Sequence, residues 1–174
     1  DTKMQIQQDY NAIYEEEFWE KEYDDKHGYE ILAEYTVEQL KYIHAVYDLA
    51  KECGDVSDSS YEALEKRWKD ENAERSEKVA KGEVIYGLKE YTFQLYLDYE
   101  ISTLKEQYCN DLTREGMKLT EAEVLECYES RDWIFGGNEE NADLETARVA
   151  VEREVREQKY DEKITQLEND SQVN

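Results

Sequence analysis

Proline is absent from all 174 residues, and glycine occurs only seven times. Proline removes a backbone donor and fixes φ, so its absence leaves little to interrupt a helix and favours long ones. Histidine is nearly missing, with two copies, and cysteine occurs three times, at Cys53, Cys109 and Cys127. Three thiols cannot build a disulfide framework, and their wide separation matches no zinc-ligand spacing. A Cys109–Cys127 bridge is conceivable in an oxidising compartment; small buried apolar residues are the plainer reading of both. No run approaches the roughly 20 apolar residues of a membrane-spanning helix. The sequence opens at Asp1 with neither an initiator Met nor a signal peptide, and so reads as a processed or trimmed product.

Positive charge is scarce as well. Lys and Arg total 21 against 45 Asp and Glu, a formal net charge of −24. Such a surface repels phosphate backbones, which sets DNA and RNA aside as partners. Disordered acidic tails are poor in aromatics, whereas this chain is 39% hydrophobic and carries 15 Tyr, 3 Trp and 3 Phe. The composition therefore predicts a folded domain spanning 1–174, or two lobes (about 1–81 and 88–174) sharing the C-terminal helix.

Hydrophobic spacing reads as all-α, an elongated assembly of about five helical segments. The first runs from about Met4 to Tyr23 on the stripe Ile6, Tyr10, Ile13, Tyr14, Phe18 and Trp19, with Gly28 as its C-terminal cap. The second, about Tyr29 to Cys53, buries Leu32, Tyr35, Leu40, Ile43, Tyr47 and Ala50, widened by Val37 and Val46, and Gly54 ends it. A capping box of Ser59 with Glu62 opens the third, about Ser60 to Lys81. Its apolar seam is thin (Tyr61, Leu64, Trp68, Val79). Four acid–base pairs four residues apart, Glu62–Lys66, Glu71–Arg75, Glu74–Lys78 and Glu77–Lys81, mark it as a solvated arm. Glu83-Val84-Ile85-Tyr86, between Gly82 and Gly87, is the one strand-like run. Thr92 caps the fourth helix, about Phe93 to Asn110, with Leu97, Ile101, Leu104 and Tyr108 inward. Thr120 and Glu123 form another capping box, opening a short helix to about Arg131. A polar loop through Asn141 precedes the last helix, about Leu144 to Leu167, which buries Ala147, Val151, Val155, Tyr160, Ile164 and Leu167. The tail from Asn169 is expected to fray.

Enzyme signatures are missing. No glycine-rich phosphate loop, no His-Glu-x-x-His and no Gly-x-Ser-x-Gly occurs. Asp24 and His27 have a metal-pair spacing, but a di-iron bundle needs a second Glu-x-x-His pair, and Lys41 occupies the position where His44 would need its carboxylate. A solvated helix end is the better reading. Asn138 to Asp143 is oxygen-rich but lacks EF-hand spacing, so it reads as a solvated loop. No catalytic residue, metal or cofactor is assigned.

The aromatics carry more information. Tyrosine joins an apolar body to a polar tip, which suits contact with varied apolar segments, although most such residues in any helical chain are core. The candidate peptide-binding residues are Phe18, Trp19, Tyr23, Tyr86, Tyr91, Phe93, Tyr96, Tyr99, Trp133 and Phe135. A groove lined by them on an acidic helical frame would be a polypeptide-binding device.

Several segments also share a family pattern: Glu17-Phe18-Trp19-Glu20-Lys21-Glu22-Tyr23, Leu49-Ala50-Lys51-Glu52-Cys53-Gly54 and Ser60-Tyr61-Glu62-Ala63-Leu64. The fullest match is Glu71-Asn72-Ala73-Glu74-Arg75 with Lys81-Gly82-Glu83-Val84-Ile85-Tyr86-Gly87 and Glu90-Tyr91-Thr92. Leu119-Thr120-Glu121-Ala122-Glu123 with Tyr128-Glu129 follows. Together these resemble the helical chaperone domain of SurA- and PrsA-type extracytoplasmic foldases, in a form common among lipoproteins of Gram-positive gut bacteria. The likeness runs from about Phe18 to Tyr128 and again over the closing helix. It implies an exported protein, tethered to the membrane by a lipid anchor outside these residues, that cradles unfolded or extended polypeptides. Relatives often insert a parvulin prolyl-isomerase domain before the last helix; the interval from Tyr128 to Leu144 is far too short for one, so no isomerase activity is expected. The family's usual early strand with its Asn-Gly turn is missing, which the resemblance reads as a trimmed N-terminus. Alternatives are a surface lipoprotein module docking one specific partner, or a degenerate peptidyl-prolyl isomerase.

Overall fold

A computed structural model describes residues 2–13, 15–137 and 140–170. Tyr14 of the first stripe, Asn138 of the oxygen-rich loop and the tail from 171 lie outside them. The described residues form an all-α fold of six helices: α1 (Thr2–Asp9), α2 (Gly28–Glu52), α3 (Tyr61–Ala80), α4 (Phe93–Asn110), α5 (Glu121–Glu129) and α6 (Leu144–Asp170). The single small sheet pairs β1 (Glu22–Tyr23) antiparallel with β2 (Lys26–His27).

Three buried clusters follow one another along the chain's frame. The first gathers Ile6, Phe18, Tyr23 and Ile31 around the start of α2. The central one joins the second half of α2 to α4 and the C-terminal half of α6, through residues such as Val46, Leu49, Leu104, Tyr108, Tyr160 and Ile164. The third packs α5 and Trp133 on the first half of α6, through Val124, Cys127, Ala147, Val151 and Val155. α6 thus serves the central and third clusters as a shared spine, and five of the six residues assigned to its buried face are buried. Leu167 packs partly against the same core.

Two expectations fail at the N-terminus. The first helix stops at Asp9, and Gly28 begins α2 instead of capping a preceding helix. On one straight helix, Ile6 and Tyr23 would stand roughly 25 Å apart at 1.5 Å per residue. They meet in one cluster only because the chain reverses. A two-residue turn at Asp24 and Asp25, with φ of 49° and 67°, closes the hairpin. Both positive φ values fit the primed turn that matches strand twist, and Asp tolerates that region. Gly28 is required by contact: a Cβ there would sit 2.7 Å from the Phe18 carbonyl oxygen.

Other boundaries shift less. Ser60, not Ser59, caps α3, its hydroxyl oxygen accepting from the Ala63 N–H at 3.3 Å, while Asp58 accepts the Ser60 N–H. Thr120 and Glu123 form the expected reciprocal box on α5. The Glu62–Lys66 pair is replaced by Lys66–Asp70, whereas Glu71–Arg75, Glu74–Lys78 and Glu77–Lys81 form. Leu40 and Val37, assigned to the buried face of α2, are exposed, and Ile31 takes up the interior position. These positions lie in the stretch of α2 between the first and central clusters, where no element covers them. Cys109 and Cys127 are free and sit in different clusters, so they do not form a bridge. Glu83 to Tyr86 forms no strand, because no neighbouring strand is there to supply the ladder.

Candidate functional site

The α3–α4 connection, residues 81–92, is built by side chains of α3. Asn72 makes two bonds to one residue: its amide Nδ2 donates to the Tyr91 carbonyl at 2.9 Å, and its Oδ1 accepts the Tyr91 N–H at 2.8 Å. Trp68 adds an indole N–H to the same carbonyl at 2.8 Å. One turn further on, Arg75 donates to the carbonyls of Tyr86 and Leu88 at 3.1 and 2.7 Å, while Glu71 holds its Nε at 2.7 Å. The Arg75 guanidinium lies over the Tyr91 ring, 4.5 Å from its centroid. Residues 68, 72 and 75 share one helix face, so about two turns of α3 satisfy backbone groups that an irregular connection would otherwise leave open. At its start, the Glu83 N–H is bonded to the Lys78 carbonyl and Gly82 turns with φ of 70°.

An aromatic patch grows from this base. Tyr91 stacks on Tyr99 at 5.3 Å and meets Tyr96 edge-on, while Phe93 contacts Trp68 and Tyr61, each at 5.6 Å. Beneath it lies a charged lock. Glu100, only 9% exposed, accepts from Tyr47 at 2.5 Å, Tyr96 at 2.9 Å and Arg67 Nε and Nη2 at 2.7 and 3.0 Å. The set ties α2, α3 and α4 together. Burial, then the bond to Glu100, pushes the Tyr47 and Tyr96 hydroxyls well above the ordinary tyrosine range, so both stay protonated donors.

The candidate aromatics divide by burial. Phe18 and Tyr23 are interior, with Trp19 packed against them, and they hold the first cluster together. Tyr96 and Trp133 are buried too, Tyr96 for the lock and Trp133 to fold the α5–α6 connection. Trp133 donates its indole N–H to the Tyr128 carbonyl and its backbone N–H to Asn141 Oδ1. Tyr91 and Phe93 are half-buried, whereas Tyr86, Tyr99 and Phe135 are exposed. Phe135 lies apart from the α3–α4 patch, in a shallow groove of about 300 Å³ between residues 131–135 and α6. The patch therefore brings together Tyr91, Phe93, Tyr96 and Tyr99. Sequence reasoning missed its other members, Tyr61 and Trp68, and the scaffold residues Asn72 and Arg75. Their signal was present in the i, i+3/i+4 spacing of Trp68, Asn72 and Arg75, which reads as a second inward face on α3.

No thiol is activated. Burial raises Cys53 and Cys127, and raises Cys109 to about 11, the opposite of what a nucleophile needs. His27 bonds to the Glu20 carbonyl at 2.7 Å and stacks on Tyr29. No helix among the described residues is long and apolar enough to cross a membrane.

No family model matches the chain, and no solved structure matches it. Among curated proteins it is similar to the "Chaperone for lacto-N-biosidase" of Bifidobacterium longum subsp. longum, with 30% identity over 165 residues. The aligned region takes in 95% of this chain and 59% of that relative's length.

Proposed function

We propose that this chain is a non-catalytic, chaperone-like module that holds unfolded or partly folded polypeptides outside the cytoplasm. The reading rests first on the similarity, along 95% of the chain, to a protein named as a chaperone. It is supported by the α3–α4 patch, a packed set of aromatic rings whose outer members Tyr61 and Tyr99 are exposed, on a chain of net charge −24. Apolar contact would supply the grip, and the negative field would keep the loaded complex soluble and favour basic clients. The resemblance of several segments to SurA- and PrsA-type foldases points to the same role, and with it we propose an exported, lipid-anchored setting. The α5–α6 connection is a short loop folded on Trp133 rather than a domain, which supports a holding role in place of prolyl isomerisation.

The relative's name couples it to one enzyme, which favours a dedicated client over a general one for this chain also. Turbidity of reduced lysozyme, a basic aggregating probe, measures holding directly. Suppression at equimolar to several-fold excess is expected of general holding, and unchanged turbidity across that range together with no protein captured in the pull-down rules the reading out. Pull-down from the native secretome separates the two client modes: one stoichiometric protein marks a dedicated chaperone, and a spread of proteins a general one.

A further inference from the structure

Val84, Ile85 and Tyr86 combine three properties that pull against one another in a free surface. Their residue types favour a strand, yet they lie in an irregular segment with no neighbouring strand. Val84 and Tyr86 are 79% and 88% exposed, with Leu88 exposed beyond them, while Ile85 turns partly inward. Among the described residues, the backbone N–H groups of Val84, Ile85 and Tyr86 and the carbonyls of Val84 and Ile85 have no hydrogen-bond partner in the chain. The segment is nevertheless anchored at both ends. The Glu83 N–H is tied to Lys78, Arg75 grips the Tyr86 and Leu88 carbonyls, and Asn72 grips Tyr91. An anchored, unpaired, β-prone edge with alternate apolar side chains outward is what a partner strand recognises. Holding it in place beforehand lowers the ordering cost of binding.

Charge selects the occupant. Glu83, Lys89 and Glu90 flank the edge, all exposed and none in an ion pair among the described residues, which leaves one net negative charge beside it, whereas Lys78 of α3 and Lys81 at its C-cap are occupied by Glu74 and Glu77. We propose that Val84–Tyr86 is a docking edge onto which an extended segment of a client polypeptide adds as a strand. The segment alternates apolar residues with Lys or Arg. This inference rests on the client-holding reading above.

NMR-detected amide exchange on the full chain tests it, with a decapeptide alternating lysine with valine and phenylalanine as probe. At saturating peptide, exchange at residues 84–86 slows at least tenfold, and a peptide with glutamate in place of lysine produces no slowing. The Glu83→Lys/Glu90→Lys double variant weakens the lysine peptide several-fold. Val84→Pro, which deletes one edge donor, weakens it as well, and circular dichroism reports whether each variant keeps its helices. If the proline or the charge-reversal variant unfolds, the wild-type comparison of the two peptides still decides. Lysozyme turbidity is run in parallel. Suppression without protection at 84–86 overturns the edge and leaves the holding reading standing. Protection without suppression keeps the edge and overturns general holding, and the absence of both overturns both. Equal protection by the glutamate peptide overturns the charge assignment.

Discussion

Glu100 is the one charged side chain in the buried core of the described residues, whose other acids are at least partly solvated. Its value lies in its partners. Removing one member of a buried, hydrogen-bonded pair leaves the other charge uncompensated, at a cost of about 3–5 kcal/mol. Glu100→Ala orphans Arg67 and two tyrosine hydroxyls together, so its unfolding free energy in a urea titration should fall by that order, while Tyr47→Phe, which removes one donor to the carboxylate, should cost about 1.5–3 kcal/mol. Equal costs for the two would mean that Glu100 only fills space. Glu123 plays a different part at the surface. Its carboxyl is held down at about 2, from 4.5, by the Lys159 ammonium and by the Thr120 N–H and hydroxyl. The folded-state pKa is depressed, so the stabilisation is fully present above about 4.5 and is lost as pH falls through the folded value near 2. Wild type should therefore lose its thermal-stability advantage over Glu123→Gln progressively between those two pH values, and the two should converge at the acid end. A constant difference across that range would detach Glu123 from the effect.

At the level of elements, Asn72 replaces a missing strand for the α3–α4 connection by matching both polar groups of Tyr91. Asn72→Ala leaves the Tyr91 N–H without its partner and its carbonyl with only the Trp68 indole, which predicts a loss of about 1–3 kcal/mol. Amide exchange at Tyr91 should accelerate well beyond the change in global stability. A rise matched by the central helices would instead mean that the connection unfolds only with the whole molecule. Sequence periodicity made α4 legible to the residue and α6 at its start, since each has one continuous apolar stripe and α4 carries a side-chain cap at Thr92, while α6 runs on to Asp170, past the expected end at Leu167 and into the tail expected to fray. It misled at residues 4–23, where the same 3- and 4-residue steps serve a folded-back chain whose turn at Asp24–Asp25 has no glycine to announce it. It misled again on α3, read as a solvated arm from its thin apolar seam and its acid–base pairs; Leu64 is its one buried residue, yet its polar residues do the docking. The candidate site was half legible for the same reason. Aromatic type pointed to Tyr91, Phe93 and Tyr99. The split between lock and surface depends on Glu100, a residue that no pattern of apolar spacing singles out among 45 acids.

Across the whole molecule, the 21 basic residues are largely taken up within the chain, several of them fastening α6 to its neighbours through Lys105–Asp161, Arg148–Glu121 and Lys159–Glu123. What remains for the outside is a surplus of unpaired carboxylates. That surplus acts in opposite directions on folding and on binding. Self-repulsion opposes the compact state, whereas attraction draws in a cationic segment, and both weaken when the screening length shortens from about 10 Å at 0.1 M salt to about 3 Å at 1 M. Raising sodium chloride over that range should therefore raise the melting temperature while it weakens binding of the lysine-bearing peptide. The internal pairs temper the first effect, since salt also screens attractions, but most are exposed and each contributes little. Calorimetric melting and peptide titration on the same samples measure both signs. Melting that falls with salt would show that internal pairing outweighs the surplus. Peptide affinity indifferent to salt would leave apolar contact alone to choose the client, and the acidity to serve solubility only.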